Sequence, residues 1–202
     1  MCIRDSSDIE YKFPWGWGEI QGIANRTDYD LQAHSKQTGQ KLSYFDEKSS
    51  KHVVPYVIEP SAGVDRIFMA ILLDSYHEED VSTSDGKSDK RVVLKLSSEL
   101  APIKVAVLPL SRKDVLSNLA NQIHQEIKSS GVTTGIVEYD DSQSIGKRYR
   151  RQDEIGTPIC VTIDFDSIDD KCVTLRFRDT MEQIRVPMSN LTEQIRLNLK
   201  NV

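Results

Sequence analysis

The sequence predicts an α/β protein built in two parts. Three observations predict it. Strand and helix patterns alternate from Val105 onward, a strand–loop–helix unit spans residues 57–66, and the stretch before that unit alternates glycine with larger residues. The 202 residues suit one or two domains. With 38% hydrophobic and 28% charged residues the chain has an ordinary globular composition. Its net charge of −5 argues against general polyanion binding, so any RNA contact must come from a local basic patch. No apolar run approaches the roughly 20 residues of a membrane helix. The charged N-terminus has no signal-peptide core, so a cytoplasmic protein without a membrane partner is expected. Cys2, Cys160 and Cys172 lack CxxC spacing and read as reduced thiols. His34, His52, His77 and His124 have no partners at metal-ligand spacing, so no metal site is expected.

Taken in order, residues 15–24 alternate. Trp15, Trp17, Glu19, Gln21 and Ile23 share one strand face; Gly16, Gly18, Ile20, Gly22 and Ala24 share the other, which another body can approach closely. A helix follows, opened by Thr27 or Asp28 and stopped at Gly39. Residues 53–59 are nearly all apolar and predict a buried strand. Residues 64–76 predict a helix that is apolar over most of its surface and therefore largely buried. The polar run 80–90 reads as a surface loop or linker, 92–96 as a short strand, and 97–102 as a turn-like connector. Then come a strand at 105–110 and an amphipathic helix over Asp114–Ser129, with Leu116, Leu119, Ile123 and Ile127 in one stripe and Gly131 as its stop. A strand at 135–139, a helix at 144–155, and strands at 159–165, 173–178 and 182–186 follow. A last helix at 190–201 carries the capping pair Asn190 and Glu193. This order predicts a mixed sheet covered by helices, with a domain boundary between residues 1–90 and 91–202.

The chemistry concentrates in residues 57–66. A loop feeding a helix N-terminus is an anion site, because free N–H groups and the helix dipole point at one spot. Arg66 in the first helical turn suits it to a phosphate or nucleotide. Glu59 on the strand side, with Glu19 upstream, suits an ammonium group through charge-assisted hydrogen bonds, and Ser61 could add a hydroxyl. The residues alone leave blander readings open: Glu19 as a solvated strand glutamate, Glu59 as a helix-start acid, Arg66 in a surface pair with Asp65 or Glu59. In the helix at 144–155, Ile145, Tyr149 and Gln152 form one face while Lys147, Arg148, Arg150 and Arg151 fan over the other. With Arg176 and Arg178 on a neighbouring strand, they could meet an RNA backbone or merely form a solvated face.

The wording IEPSAGVDR at residues 58–66, together with WGWGEIQGIANRTDYDLQAH at 15–34, resembles the motif 3 region of class II aminoacyl-tRNA synthetases, in particular α2-type glycyl-tRNA synthetases. The resemblance covers nearly the whole chain. It implies the last strands of the class II antiparallel sheet followed by an α/β anticodon-binding domain with a mixed sheet. It implies glycine contacts from Glu59, Pro60, Ser61, Ala62 and Gly63, and ATP contacts from Glu19, Ile20, Gly63, Val64, Asp65 and Arg66. Arg66 would be catalytic, neutralising charge while the glycine carboxylate attacks the α-phosphorus of ATP. The implied substrates and partners are glycine, ATP with Mg²⁺, tRNA-Gly, and a second subunit in a family homodimer.

Motifs 1 and 2 of that family, and with motif 1 the dimer core, are not visible in the sequence, and residues 1–6 look like a foreign leader. The 202-residue chain alone is therefore expected to be inactive. Residues 2–90 are expected to pack poorly with exposed sheet edges, while residues 96–202 fold alone. Two competing readings remain: a non-catalytic tRNA- or RNA-binding accessory protein on the same fold, and a small-molecule-binding α/β module with no RNA partner.

Overall fold

The computed structural model describes residues 6–82 and 88–200, and the chain divides into two units, Met1–Leu73 and Asp74–Val202. In the first unit, β1 (Ser6–Phe13) reverses into β2 (Gly16–Asn25) through a turn at Pro14 and Trp15. Gly16 takes φ 128 there, a value that penalises any residue with a Cβ. Helix α1 (Tyr29–Thr38) follows and ends on Gly39 at φ 73. A small hairpin pairs β3 (Tyr44–Asp46) with β4 (Lys51–Val53). Strand β5 (Ile58–Ala62) then returns antiparallel to β2, which sets the strand order β1-β2-β5, and α2 (Val64–Ser75) leaves its end.

Three expectations for this unit are corrected. The alternation over residues 15–24 does not run through. Glu10 pairs with Glu19 but Ile9 with Gln21, so Ile20 is an extra residue in β2. Such a bulge re-aims the side chains on one side of it. Residues 53–59 are not one buried strand. Pro55 has no N–H for a ladder, pairing stops at Val53 and resumes at Ile58, and β5 is exposed along its length. Helix α2 is not largely buried, for Val64 is 78% and Phe68 62% exposed.

In the second unit, β6 (Tyr76–Ser82) and β7 (Ser88–Leu94) form an antiparallel hairpin. The linker expected at residues 80–90 is therefore paired strand at both ends, and residues 83–87 lie outside the described residues. The expected boundary at 90/91 falls inside β7. The division comes instead at Leu73, because Arg91 of β7 is tied into the second unit by a buried ion pair.

After the connector come β8 (Ile103–Pro109), α3 (Asp114–Ser129), β9 (Ile136–Tyr139), α4 (Ile145–Ile155), β10 (Ile159–Ile163), α5 (Asp166–Asp170), β11 (Cys172–Phe177), β12 (Gln183–Pro187) and α6 (Leu191–Leu199). The sheet order is β12-β11-β10-β8-β9, with β8 parallel to both neighbours and β11 antiparallel to β10 and β12. This is the mixed sheet that the pattern predicts. Leu116, Ala120, Ile123 and Ile127 of α3 and Leu191 and Ile195 of α6 pack on one face, against Val105, Val107, Ile159 and Val161. Ile145 and Tyr149 of α4 pack on the other, against Ala106, Leu108 and Cys160. Both buried apolar clusters belong to this unit. The expected Asn190–Glu193 capping pair does not form: Asn190 makes no side-chain cap bond and Glu193 accepts from Arg196.

Arg185 of β12 fastens the β10–β11 connection. Its Nη2 donates to Asp164 at 3.0 Å and to Asp170 at 2.9 Å. Burial pushes the Asp164 carboxyl up, but the hydrogen bonds from Arg185 and Ser167 outweigh it and hold the group below its ordinary value. Glu79 is likewise depressed, first by its bond from Lys95. A carboxylate with a lower folded than unfolded pKa contributes stability above the unfolded value, near 4, and loses it as pH falls through the folded value. The unfolding midpoint in urea is therefore expected to be flat from pH 7 to 5 and to fall below about pH 4. In Arg185→Met the acid loss from Asp164 should shrink; an unchanged acid slope in that variant would argue against the assignment.

Candidate functional site

The first unit assembles its site on one sheet face. Across the three strands, Ser6, Ala24 and Glu59 form one row and Asp8, Gly22 and Ser61 the next. Glu59 and Ser61 share this face because they are two residues apart on a strand; Pro60 and Ala62 lie on the opposite one. Of the five residues expected to contact glycine, Glu59 and Ser61 therefore line the same hollow, of about 190 Å³, with Asp8 and Gly22. The side chains of Pro60 and Ala62 lie on the opposite side of the strand.

The bulge at Ile20 brings Glu19 to this same face. A Cβ placed on Gly22 would stand 3.2 Å from Glu19 Oε1 and 3.6 Å from Asp8 Oδ1. Without the bulge Glu19 would point with Trp17 and Gln21, as the simple alternation predicts. Gly22 leaves space for the carboxylate. Asp8, Glu10, Glu19 and Glu59 make the face acidic, with Lys12 at its far end opposite Trp17. Beside Glu59 stands Arg26, whose Nη1 lies 3.2 Å from Glu59 Oε2 and whose Nη2 donates to Asp30 at 3.1 Å. The bond from Arg26 depresses the Asp30 carboxyl. Sequence reasoning missed Arg26 and Asp8. The i,i+4 spacing of Arg26 and Asp30 was readable, but their meeting with Glu59 needs the pairing of β2 with β5.

Arg66, in the first turn of α2, reaches back to the bulge. Its Nη1 donates to the Glu19 carbonyl at 2.6 Å, and Gly63 N approaches the Ile20 carbonyl at 3.4 Å. The residues expected at ATP thus divide: Glu19, Ile20, Gly63 and Arg66 come together, while Val64 and Asp65 stand exposed on the helix start. Among the described residues no group of three or more His, Cys, Asp or Glu side chains is placed to hold a metal ion.

The basic fan expected on α4 is corrected. Arg148 is 1% exposed and donates to the carbonyls of Pro109 and Asp140 at 2.7 and 3.0 Å. Arg176 is buried, doubly bonded to Asp153 at 2.7 and 2.9 Å, and lies 4.7 Å over the Tyr149 ring. Arg178 is buried too, donating to the Gly156 carbonyl and to Asp179. Arg150 pairs with Asp89, and Arg151 donates to Ser142 Oγ at 3.0 Å. Lys147 alone of the six is exposed as a whole residue. A helical wheel drawn from one helix cannot see that β7, β8 and the loop after β9 supply acceptors on the side it takes for solvent.

Residues 104–198 match the family described as the anticodon binding domain. The chain as a whole is similar to the glycine--tRNA ligases: 56% identical over 187 residues to that of Corynebacterium glutamicum and 50% over 195 residues to that of Clostridium perfringens. These alignments cover 91% and 96% of this chain but 40% of each relative, so the chain spans about two-fifths of the length of the curated relatives it matches. A solved prolyl-tRNA synthetase from Cryptosporidium parvum, complexed with L-proline and AMP, superposes with a TM-score of 0.65. That match covers 97% of this chain and 37% of the synthetase at 19% identity, and it shows a shared fold.

Proposed function

We propose that this chain supplies part of a cytoplasmic glycine–tRNA ligase, which activates glycine with ATP and transfers it to tRNA-Gly. The carrying observation is the sheet face on which Glu59, Ser61 and Glu19 meet while Arg66 is anchored at the Glu19 carbonyl. Glycine offers an ammonium, a carboxylate and no side chain, so a site for it must grip the ammonium and leave no room for more. The acidic face suits the ammonium, and Gly22 lets Glu19 lie close. Arg66, in the first turn of α2 and bonded to the Glu19 carbonyl at the bulge, suits the phosphates of ATP. Adenylation forms a bond between the glycine carboxylate and the α-phosphorus and releases pyrophosphate. Magnesium enters as part of the ATP complex and adds charge neutralisation there. The second unit contributes tRNA binding. A homodimer belongs to the same proposal for the full-length ligase and not for this segment, in which the dimer core is not visible.

The hollow is open: Glu59 keeps 48% of its side chain exposed. Electrostatic stabilisation of the reacting phosphate needs a closed, preorganised environment. The 202-residue chain by itself is therefore expected to give no glycine-dependent exchange of pyrophosphate into ATP, while binding tRNA-Gly in a salt-dependent manner. Robust exchange by the chain alone would overturn the first expectation. Equal, salt-independent affinity for all tRNAs, or none, would overturn the second.

A further inference from the structure

A hollow of about 590 Å³ opens in the second unit at the amino ends of the parallel strands β8 and β9. Its wall includes Lys104, Thr133, Thr134, Arg196, Leu199 and Lys200. Lys104 is only 7% exposed, and its Nζ donates to the carbonyls of Ser98 and, at 2.8 Å, of Glu99. An ammonium has three N–H donors, so one is left at this wall. Burying a charge is costly unless its donors are met. Burial pushes the Lys104 ammonium down from its ordinary value, with the charge of Glu99 opposing the shift. Gly135 leaves the space that the lysine fills, for a Cβ there would stand 2.5 Å from Lys104 Cγ.

The loop between α3 and β9 adds donors beside this ammonium. It reads Gly131-Val132-Thr133-Thr134-Gly135, and Gly131 turns it at φ 64. Val132 N donates to Ser130 Oγ at 3.2 Å and Gly135 N to Thr133 Oγ1 at 3.1 Å. Among the described residues the backbone N–H groups of Thr133 and Thr134 have no partner. Successive free N–H groups in a turn make an anion-binding concavity. Arg196 and Lys200 are exposed and add positive charge at the rim, where Glu193 accepts from Arg196. Helices α3 and α6 both end here, and helix C-termini disfavour anions. Carbonyls in those last turns are already met, Ile127 by Ser130 Oγ and Leu199 by Ser98 Oγ.

We infer that this hollow binds a small phosphate monoester, with the phosphate on Lys104 Nζ and the Thr133–Thr134 loop and the organic body toward Arg196 and Leu199. Three donors on separate groups match the three terminal oxygens of a phosphate monoester, where a carboxylate offers two. The hollow is larger than one phosphate, which leaves room for a sugar-sized body. The buried ammonium sits inside a recess, so a terminal phosphate reaches it more readily than a phosphodiester with chain on both sides. The site is independent of glycine activation and of the acidic face in the first unit.

The test is titration of the isotope-labelled 202-residue chain with ribose 5-phosphate, followed by amide chemical shifts, with ribose and sodium chloride as controls. The Thr133 and Thr134 amides should shift and saturate with ribose 5-phosphate and stay in place with either control. Lys104→Met should weaken binding about 10- to 150-fold, the loss of a hydrogen bond to a charged group. Arg196→Gln, at an exposed side chain that the fold does not need, should weaken it about 2- to 5-fold and decides the matter if Lys104→Met does not fold. Shifts that fail to saturate, that sodium chloride reproduces, or that folded variants leave unchanged would overturn the inference. So would an RNA stem-loop that moves these two amides where ribose 5-phosphate does not, since the wall would then be a nucleic-acid backbone contact.

Discussion

Asp153→Ala is expected to destabilise the second unit by about 3–5 kcal/mol, the cost of leaving buried charges without their partner. Asp153 is 2% exposed at its side chain and receives Arg91 Nε at 2.9 Å and both terminal nitrogens of Arg176. Removing it strands two guanidinium groups among α4, β7 and β11. Arg91 also donates to Glu79 at 2.7 Å and to the Arg178 carbonyl, so the loss should loosen the β6–β7 hairpin as well. With total stabilities of about 5–15 kcal/mol, such a change approaches the whole margin. Chemical denaturation followed by circular dichroism reads it directly. Arg150→Ala, at the half-exposed pair with Asp89, is the control and should cost under about 1 kcal/mol. Equal midpoints for the two variants would show that the buried cluster is not what joins the hairpin to the sheet. The expectation that residues 96–202 fold alone also changes. A chain starting there lacks Arg91 and should be less stable than one starting at Asp74.

In a full-length ligase carrying this segment, Glu59→Gln should raise the KM for glycine about 10- to 150-fold, the equivalent of one hydrogen bond to a charged group. Glutamine keeps the shape and an acceptor but not the charge that the ammonium meets. The ATP KM should change little, since Arg66 and the Glu19 carbonyl stand at the other end of the bulge. Arg26→Met should act on glycine in the same direction but less, because Arg26 orients Glu59 from 3.2 Å and is not itself placed at the ammonium. A Glu59→Gln enzyme with an unchanged glycine KM would remove the acidic face from the amino-acid site.

Much of this was legible along the chain. Gly39 as a helix stop, α3 with Leu116, Ile123 and Ile127 inward, and the β8-to-α6 order follow from local periodicity and capping. Those features depend on residues a few positions apart, which a sequence lays side by side. That Glu59 and Ser61 share one face was legible for the same reason, being two positions apart on a strand that leads into a helix.

Other features depended on partners far along the chain. The bulge at Ile20 exists because β1 pairs with β2 in two registers, and without it Glu19 faces the wrong way. Arg26 meets Glu59 across 33 positions and Arg91 meets Asp153 across 62. Arg148, Arg176 and Arg178 have a surface composition but an interior position, because carbonyls and carboxylates from other elements satisfy their donors. Local patterning thus determined most of the strands and helices and put Glu59 and Ser61 on one strand face. Only the tertiary structure decided which charges are spent inside the fold and which remain for ligands. The physical reason is that a side chain's burial and partners belong to the elements packed against it, and short-range periodicity carries no record of them.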